Sequence, residues 1–450
     1  MKPLRFIHTA DLHLGSPLKS IGEVSGELQE QLHNATFTAL RQIVSAAIEL
    51  EVDFVLIAGD LYDLESRSIR ANRIVAQQLR RLDEAGINAY LIAGNHDPLT
   101  REGADAFDLP KNAHVFGTET EICEYSRDGE VVARILGQSY RSSSEPRKMY
   151  SGFTPPDASV WNIGMLHTAL DPNNTRYVPC HPDDLASKQE IHYWALGHVH
   201  QQRVVQSGEQ PIVYPGNPQG RDTGETGING CVLVEMTPGE EPDISTIPTS
   251  SIIWDIKDIS IDPGDSEPPE SIDALLDQFR SAIEDMPDEN YIDEPILPAH
   301  PNFEDEYRID GHIIRWHVTG KGPLHDELAK NREEAGETIT EVLREEFGQM
   351  SPFVWTESVR IRTGKPVPPI EELAGNSELF SDIRKIMDEF SSGEPSVDFD
   401  DILGKIWDTS GDYENMNPER FVAGQRDIEG FIEEAGQRIV ESILERRDDS

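Results

Sequence analysis

Seven short apolar runs constrain this chain more than any other feature: Leu4 to Thr9, Phe54 to Ala58, Ala89 to Ala93, Ile163 to Leu166, Tyr193 to Leu196, Ile212 to Tyr214 and Cys231 to Glu235. Each ends close to a Gly, Asp, Asn or Pro, the pattern of a strand buried on both faces. Five of them lead directly into metal-competent side chains: Asp11-Leu12-His13, Gly59-Asp60, Gly94-Asn95-His96-Asp97, Leu166-His167 and Gly197-His198-Val199-His200. Alone, an Asp-x-His or a Gly-Asp reads as a turn or a cap. Five such pieces in this order, each at a strand end, are not explained by chance, and the carboxyl ends of strands are where α/β sheets gather ligands.

Between the first two runs, Phe37, Leu40, Ile43, Val44, Ala47 and Ile48 share one helical face, and Ser66 to Ala85 reads as helix before the third. Alternating strands and helices predict a layered α/β domain over 1–250. The chain turns Pro-, Glu- and Asp-rich at Pro238 to Pro248 and again at Asp262 to Pro269, which places the domain end near 250. Strand Ile252 to Ile259, helix Ile272 to Ile283, strand Ile313 to Val318, helix Leu324 to Phe347 and strand Phe353 to Ile361 then predict a smaller α+β domain over 251–366. After Pro366-Val367-Pro368-Pro369, residues 367–450 read as a helical tail, acidic and rich in Gly, Ser and Asp from Gly393 to Asn417. Its last part sets Phe421, Ile428, Ile432, Ala435 and Ile439 on one face, expected to pack on its own protein, with docking to a partner as the alternative. No internal repeat is found.

The 39 basic and 83 acidic residues give a formal net charge of -44, and Lys is much scarcer than Arg. Acid spread along the whole chain points to a salt-rich, halophilic cytoplasm, where a Debye length of ~3 Å at 1 M salt screens self-repulsion. This balance argues against a general nucleic-acid-binding face, so a polyanion would have to be held by local cations, metals or a partner. Cys123, Cys180 and Cys231 are far apart and suggest neither a disulfide framework nor a thiolate zinc site. Met1 leads straight into the first run, and no run of about 18 apolar residues occurs, so a soluble cytoplasmic protein with no membrane partner is expected.

Hydrolysing a phosphodiester near neutral pH needs a hydroxide nucleophile and neutralisation of the non-bridging oxygens; two divalent metals roughly 3.5 to 4 Å apart supply both. Asp60 is the candidate bridge between them. Asp11 and His13 can turn toward one ion as the chain leaves the sheet, with His200 completing that site, while the second ion takes Asp60, Asn95, His167 and His198. Because Asn95 is neutral, the two ions outweigh the ligand carboxylates Asp11 and Asp60 by roughly two charges, which draws in a phosphate. Mixed nitrogen and oxygen ligation suits manganese first, with iron or zinc as alternatives. His96 follows a ligand and is placed to donate a proton to the leaving oxygen or to stabilise the transition state, with Asp97 expected to hold its other ring nitrogen. His8 reads as a packed strand histidine.

With these residues in hand, the chain resembles the calcineurin-like metallophosphoesterase superfamily, and within it the SbcD and YhaO-type DNA-repair exonucleases. The likeness is carried by Phe6-Ile7-His8-Thr9-Ala10-Asp11-Leu12-His13-Leu14-Gly15-Ser16-Pro17, Tyr193-Trp194-Ala195-Leu196-Gly197-His198-Val199-His200, Tyr214-Pro215-Gly216-Asn217-Pro218-Gln219-Gly220-Arg221, Glu225-Thr226-Gly227 and Gly230-Cys231. It covers about residues 1 to 240. The resemblance implies a four-layer fold, a β-sandwich flanked by helices, with two manganese ions and exonuclease or endonuclease action on DNA in double-strand-break repair. It further implies a capping domain fitting 251–366, a C-terminal segment contacting an SMC-like ATPase subunit, and a homodimer. Some members of the wider nuclease family carry a histidine just after the bridging aspartate; here the chain reads Gly59-Asp60-Leu61-Tyr62-Asp63, and Asp63 cannot serve as that cation.

Candidate substrate contacts are Arg67, Arg70 and Arg73 beyond Asp60, Arg141 with Arg147 and Lys148, Arg221, and the later run Arg360, Arg362 and Lys365. An ordinary solvated face is the plain alternative for each of these groups. The competing enzymatic reading is a phosphatase or phosphodiesterase for a nucleotide-sized substrate, which would suit the missing basic surface.

Overall fold

The computed structural model describes residues 1–18, 21–22, 24, 26–63, 68–99, 109–262, 264, 267–286, 308–365, 370–375, 377–391, 436, 439–440 and 443. Its contacts gather the chain into two units, one of residues 1–257, 283–316 and 339–359, the other of 258–282, 317–338 and 360–450.

The first unit opens with β1 (Leu4–Thr9), α1 (Gly26–Glu49), β2 (Phe54–Ala58), α2 (Ile69–Glu84), β3 (Asn88–Ile92) and β4 (Ala113–Val115). It continues through β5 (Glu121–Arg127), β6 (Glu130–Gly137), β7 (Trp161–His167), α3 (Pro182–Ala186), β8 (Tyr193–Gly197), β9 (Arg203–Gln206), β10 (Ile212–Tyr214), β11 (Gly230–Met236) and β12 (Asp243–Pro248). Two six-stranded sheets result, ordered β12-β11-β1-β2-β3-β4 and β5-β6-β7-β8-β10-β9. The strands from β1 to β4 run parallel, as do β6, β7, β8 and β10, while β11 and β12 in the first sheet and β5 and β9 in the second pair antiparallel. The carboxyl ends of β1, β2 and β3 therefore open on one side of their sheet, and those of β7 and β8 on one side of theirs.

Three apolar clusters show why the central strands are continuously hydrophobic. Phe6, Phe54, Leu56 and Ile92 of one sheet meet Ile135, Ile163, Met165 and Tyr193 of the other. On the outer face of the first sheet, Ile7, Val55, Ile57 and Leu91 pack against Phe37, Leu40, Ile43 and Val44 of α1 and Val75, Leu79 and Leu82 of α2. On the outer face of the second, Leu166, Trp194 and Leu196 pack against Met149, Phe153 and Leu185. Strands covered on both sides have no polar alternation to show. This is the layered α/β sandwich expected from the sequence. Ser68 caps α2, its Oγ accepting from Ala71 N at 3.1 Å, and Gly86 (φ 75°) follows the helix end.

Several elements differ from the sequence reading. Strands β4, β5 and β9 are not expected from the sequence, because they are short or partly exposed edge segments such as Glu121–Arg127 with no continuous apolar run; β6 is interior and largely buried, but Arg134 interrupts its apolar run. The Pro-rich stretch at 238–248 is not merely a boundary: Asp243–Pro248 pairs with β11 as an edge strand, where proline is tolerated.

Farther on come β13 (Ile252–Ser260), α4 (Ile272–Glu284), β14 (Gly311–Thr319), α5 (His325–Lys330), α6 (Arg332–Phe347), β15 (Phe353–Ile361), α7 (Ile370–Ala374) and α8 (Glu378–Ser391). The expected single helix from Leu324 to Phe347 is two, broken where Asn331 leaves helical geometry at φ -150° and ψ 88°. In the second unit, His325 is buried with Nδ1 3.0 Å from Thr363 Oγ1. The start of the expected helix at Ser66, and Phe421, Ile428, Ile432 and Ala435 of the expected tail face, lie outside the described residues.

The inter-sheet contact is testable. Phe6 is fully buried, stacked on Phe54 at 5.2 Å and edge-on to Tyr193 at 5.2 Å. Phe6→Ala should cost roughly 3–5 kcal/mol, measured by urea denaturation; a loss under about 1 kcal/mol would contradict this packing.

Candidate metal centre

The backbone turns sharply where the strands end. Asp11 (φ 52°), His13 (φ 43°), Asp60 (φ 50°) and His198 (φ 99°) all lie in the left-handed region. These four are half of the eight described non-glycine residues with positive φ. Each such residue costs about 1–3 kcal/mol and persists only where its surroundings over-determine it. Backbone bonds fix the turns: Asp11 N donates to Gly59 O, His13 N to Asp60 O and Leu14 N to Leu61 O, each at 3.0 Å. Close approach also needs glycine, since a Cβ at Gly94 would lie 2.3 Å from Asp60 Oδ1 and one at Gly197 2.0 Å from Ala58 O.

Asp11, His13 and His200 form one group of potential ligands. His13 Nδ1 lies 2.7 Å from Asp63 Oδ1 and His200 Nδ1 2.6 Å from Glu225 Oε1. Carboxylates only accept, so both neutral rings carry their proton on Nδ1 and a lone pair on Nε2. Those two Nε2 atoms are 3.2 Å apart, with His200 Nε2 3.9 Å from Asp11 and His13 Nε2 4.0 Å from Asp60. Lone pairs converging with carboxylates in a buried place fit a cation, and a carboxylate behind each imidazole is the usual support of a metal-binding histidine.

Asp60, His167 and His198 form a second group. His167 Nδ1 donates to Ala58 O at 2.9 Å, which turns Nε2 toward Asp60 Oδ2 at 3.3 Å and Asn95 Oδ1 at 3.0 Å. His198 presents Nδ1, 3.0 Å from the same Asn95 oxygen. Asp60 faces both groups. All seven residues expected to bind metal are thus brought together, and Asp11, His13, Asp60, Asn95 and His167 are buried.

His96 stands beside them, half exposed, its ring 4.9 Å from that of His13. Here the sequence reading needs correction. Asp97 does not hold His96: its carboxylate accepts from the backbone N–H groups of Gly94 and Leu61 at 2.7 Å and Tyr62 at 3.3 Å, tying two ligand loops together. Buried among them and near the Asp60 charge, Asp97 is pushed up to about 7. Asp63 takes the assigned task, 2.8 Å from His96 Nδ1, and this contact raises the His96 pKa. One carboxylate therefore orients His13 and His96 together, and it also accepts from Ser16 Oγ. Spacing alone could not reveal this, because Asp63 and Asp97 are each a few residues from a ligand.

The basic candidates divide. Arg221 is at the centre, buried, with Nη1 3.6 Å from Asp63 and Nη2 3.7 Å from Glu225. Arg70 instead pairs with Asn34 and lies over the Phe37 ring, and Arg73 is exposed on α2. Arg141 pairs with Glu119, and Arg147 with Glu145. Arg67 lies outside the described residues. Glu225 and Asn217 had been given no role.

Two apposed sheets thus gather acid and imidazole side chains at their strand ends, an arrangement suited to metal-assisted phosphoester hydrolysis. Residues 4–202 match the calcineurin-like phosphoesterase family. It is similar to the uncharacterized metallophosphoesterase YhaO of Bacillus subtilis, 37% identical over 53% of this chain and 58% of that one. It is also similar to the DNA double-strand break repair protein Mre11 of Methanocaldococcus jannaschii, 24% identical over 48% of this chain and 57% of the relative. The chain thus spans little more than half the length of these curated relatives. A solved dimetal phosphatase from Danio rerio aligns with 55% of this chain and 99% of its own at 12% identity, with a TM-score of 0.36.

Burial alone would lower His167, but the Asp60 carboxylate overrides it and raises the ring to about 9. His13 and His198 go the other way, lowered by burial to about 4 and about 3. Below pH 9 the metal-free protein therefore carries a proton on His167 that a metal must displace. Metal affinity should fall about tenfold per pH unit below that point. Calorimetry in two buffers of different ionisation heat should show close to one proton released at pH 7; zero release would contradict the assignment.

Proposed function

We propose that the chain is a two-metal-dependent DNA phosphodiesterase, acting as exonuclease or endonuclease in double-strand-break repair beside an SMC-like ATPase. The observation that carries the hydrolytic reading is the pair of neighbouring donor groups, with Asp60 3.3 Å from His167 of one and 4.0 Å from His13 of the other, and His96 alongside. The Mre11 relatives, named for double-strand break repair, support DNA as the substrate. Bound divalent ions, Mn2+ as first choice, would neutralise the phosphate and lower the pKa of water. Asp11, His13, Asp60 and His200 would hold one, and Asp60, Asn95, His167 and His198 the other. The contact with Asp63 raises the His96 pKa and so favours its protonated form. Its Nδ1 is committed to Asp63, so Nε2 is the atom that delivers the proton to the leaving oxygen. Residues 251–366 would cap the DNA site and 367–450 would meet the ATPase.

A second reading, a phosphatase or phosphodiesterase for a nucleotide-sized substrate, is favoured by one observation. Arg141 and Arg147 are paired with Glu119 and Glu145 rather than offered to a polyanion.

Linear duplex, hairpin and single-stranded DNA, digested with Mn2+ at low and molar salt beside a small chromogenic phosphodiester, separate the two readings. Cleavage of DNA is expected; cleavage of the small ester alone, with or without the ATPase, would sink the nuclease claim. His96→Ala should lower turnover by about 10²–10⁴-fold while two ions remain bound by metal analysis. Loss of an ion would refute the role given to His96.

A further inference from the structure

The proposed chemistry gives no task to the loop from Pro215 to Glu225, yet this loop buries a run of polar side chains. Asn217 and Gln219 are each 1% exposed and Arg221 6%. The Glu225 side chain is 8% exposed. Such burial is costly unless every group is paired. Gln219 is paired through the backbone, its Oε1 accepting from Ser251 N and its Nε2 donating to Ile252 O. Thr249 Oγ1 donates to Pro218 O at 2.8 Å. The loop is thereby pinned to the start of β13.

Trp254 Nε1 donates to Gly220 O and Asn229 Nδ2 to Asn217 Oδ1, and a further set of attachments ends on His200. Asn217 N donates to His200 O at 2.9 Å, and a Cβ at Gly216 (φ 75°) would lie 2.8 Å from that same oxygen. Glu225 Oε1 accepts from His200 Nδ1 at 2.6 Å, while Oε2 accepts from Asn217 Nδ2 and Arg221 N, each at 2.7 Å. The Arg221 guanidinium then reaches from Glu225 to Asp63, the carboxylate behind His13. Both histidines of one metal group are thus backed by carboxylates joined through a single buried arginine.

We propose that Glu225 is a positioning residue for the Asp11–His13–His200 metal site, with Arg221 as the strut that joins it to Asp63. The inference rests on the two-metal reading above. A glutamine at 225 has one acceptor oxygen where the carboxylate uses two, so either His200 or the Asn217 and Arg221 donors would face an amide NH2.

The test is Mn2+ titration of full-length wild-type and Glu225→Gln protein, followed by electron paramagnetic resonance, with circular dichroism to check the fold. Wild type should bind two ions. Glu225→Gln should bind one as tightly and the other about 10–100-fold more weakly, the loss typical of removing such a support. Unchanged binding of both ions, or equal weakening of both, overturns the proposal. Wild type failing to bind two ions overturns the metal-centre reading itself. Should Glu225→Gln not fold, Arg221→Lys is read the same way: its point charge cannot span both carboxylates, so one ion should weaken about tenfold.

Discussion

The buried carboxylate of Asp60 is the interaction on which the rest of this structure depends. It is 1% exposed, its Oδ1 accepts from His96 N at 2.8 Å, and its Oδ2 lies 3.3 Å from His167 and 4.0 Å from His13. Burial pushes such a group toward its neutral form; the neighbouring His167 overrides this and lowers its pKa. Asp60 leaves one sheet and His167 the other, so their contact exists only while the two sheets are held face to face. The Phe6, Phe54 and Tyr193 cluster sets that separation. Packing in the middle of the sandwich and ligand geometry at its rim are thus a single constraint.

That coupling explains what the sequence made legible. Strands covered on both faces are largely apolar, so β1, β2 and β10 are legible to their end residues even with Arg5 and His8 in β1. The seven candidate ligands stand where those runs stop, which is why the sequence singles them out and the fold brings them together. Edge strands such as β5 carry exposed residues and leave no such trace. The supporting contacts were hidden for another reason: they join residues distant in sequence. Glu225 lies 25 positions from His200, and Asp63 lies 50 from His13. Which of Asp63 and Asp97 would face His96 depended on loop turns that spacing does not encode. The motif stretch from Tyr214 to Glu225 was visible as a likeness, but its physical task appeared only in the hydrogen bonds.

Charge sets the remaining constraint. A chain of net charge -44 must draw a phosphate inward against its own field. Only two of the candidate ligands in its buried centre, Asp11 and Asp60, are carboxylates; Asp63 and Glu225 stand behind imidazoles and Asp97 accepts from backbone N–H groups. With Asn95 neutral, two divalent ions would leave a local positive surplus at the strand ends. Attraction would then come from the centre rather than from a basic surface, a form of recognition that molar salt weakens less than counterion release.

Anomalous diffraction at the manganese edge from crystals grown with Mn2+ tests this account most directly. Two peaks roughly 3.5 to 4 Å apart, one on either side of Asp60, are the predicted result. A single peak, or peaks away from Asp60 and the strand ends, would contradict it.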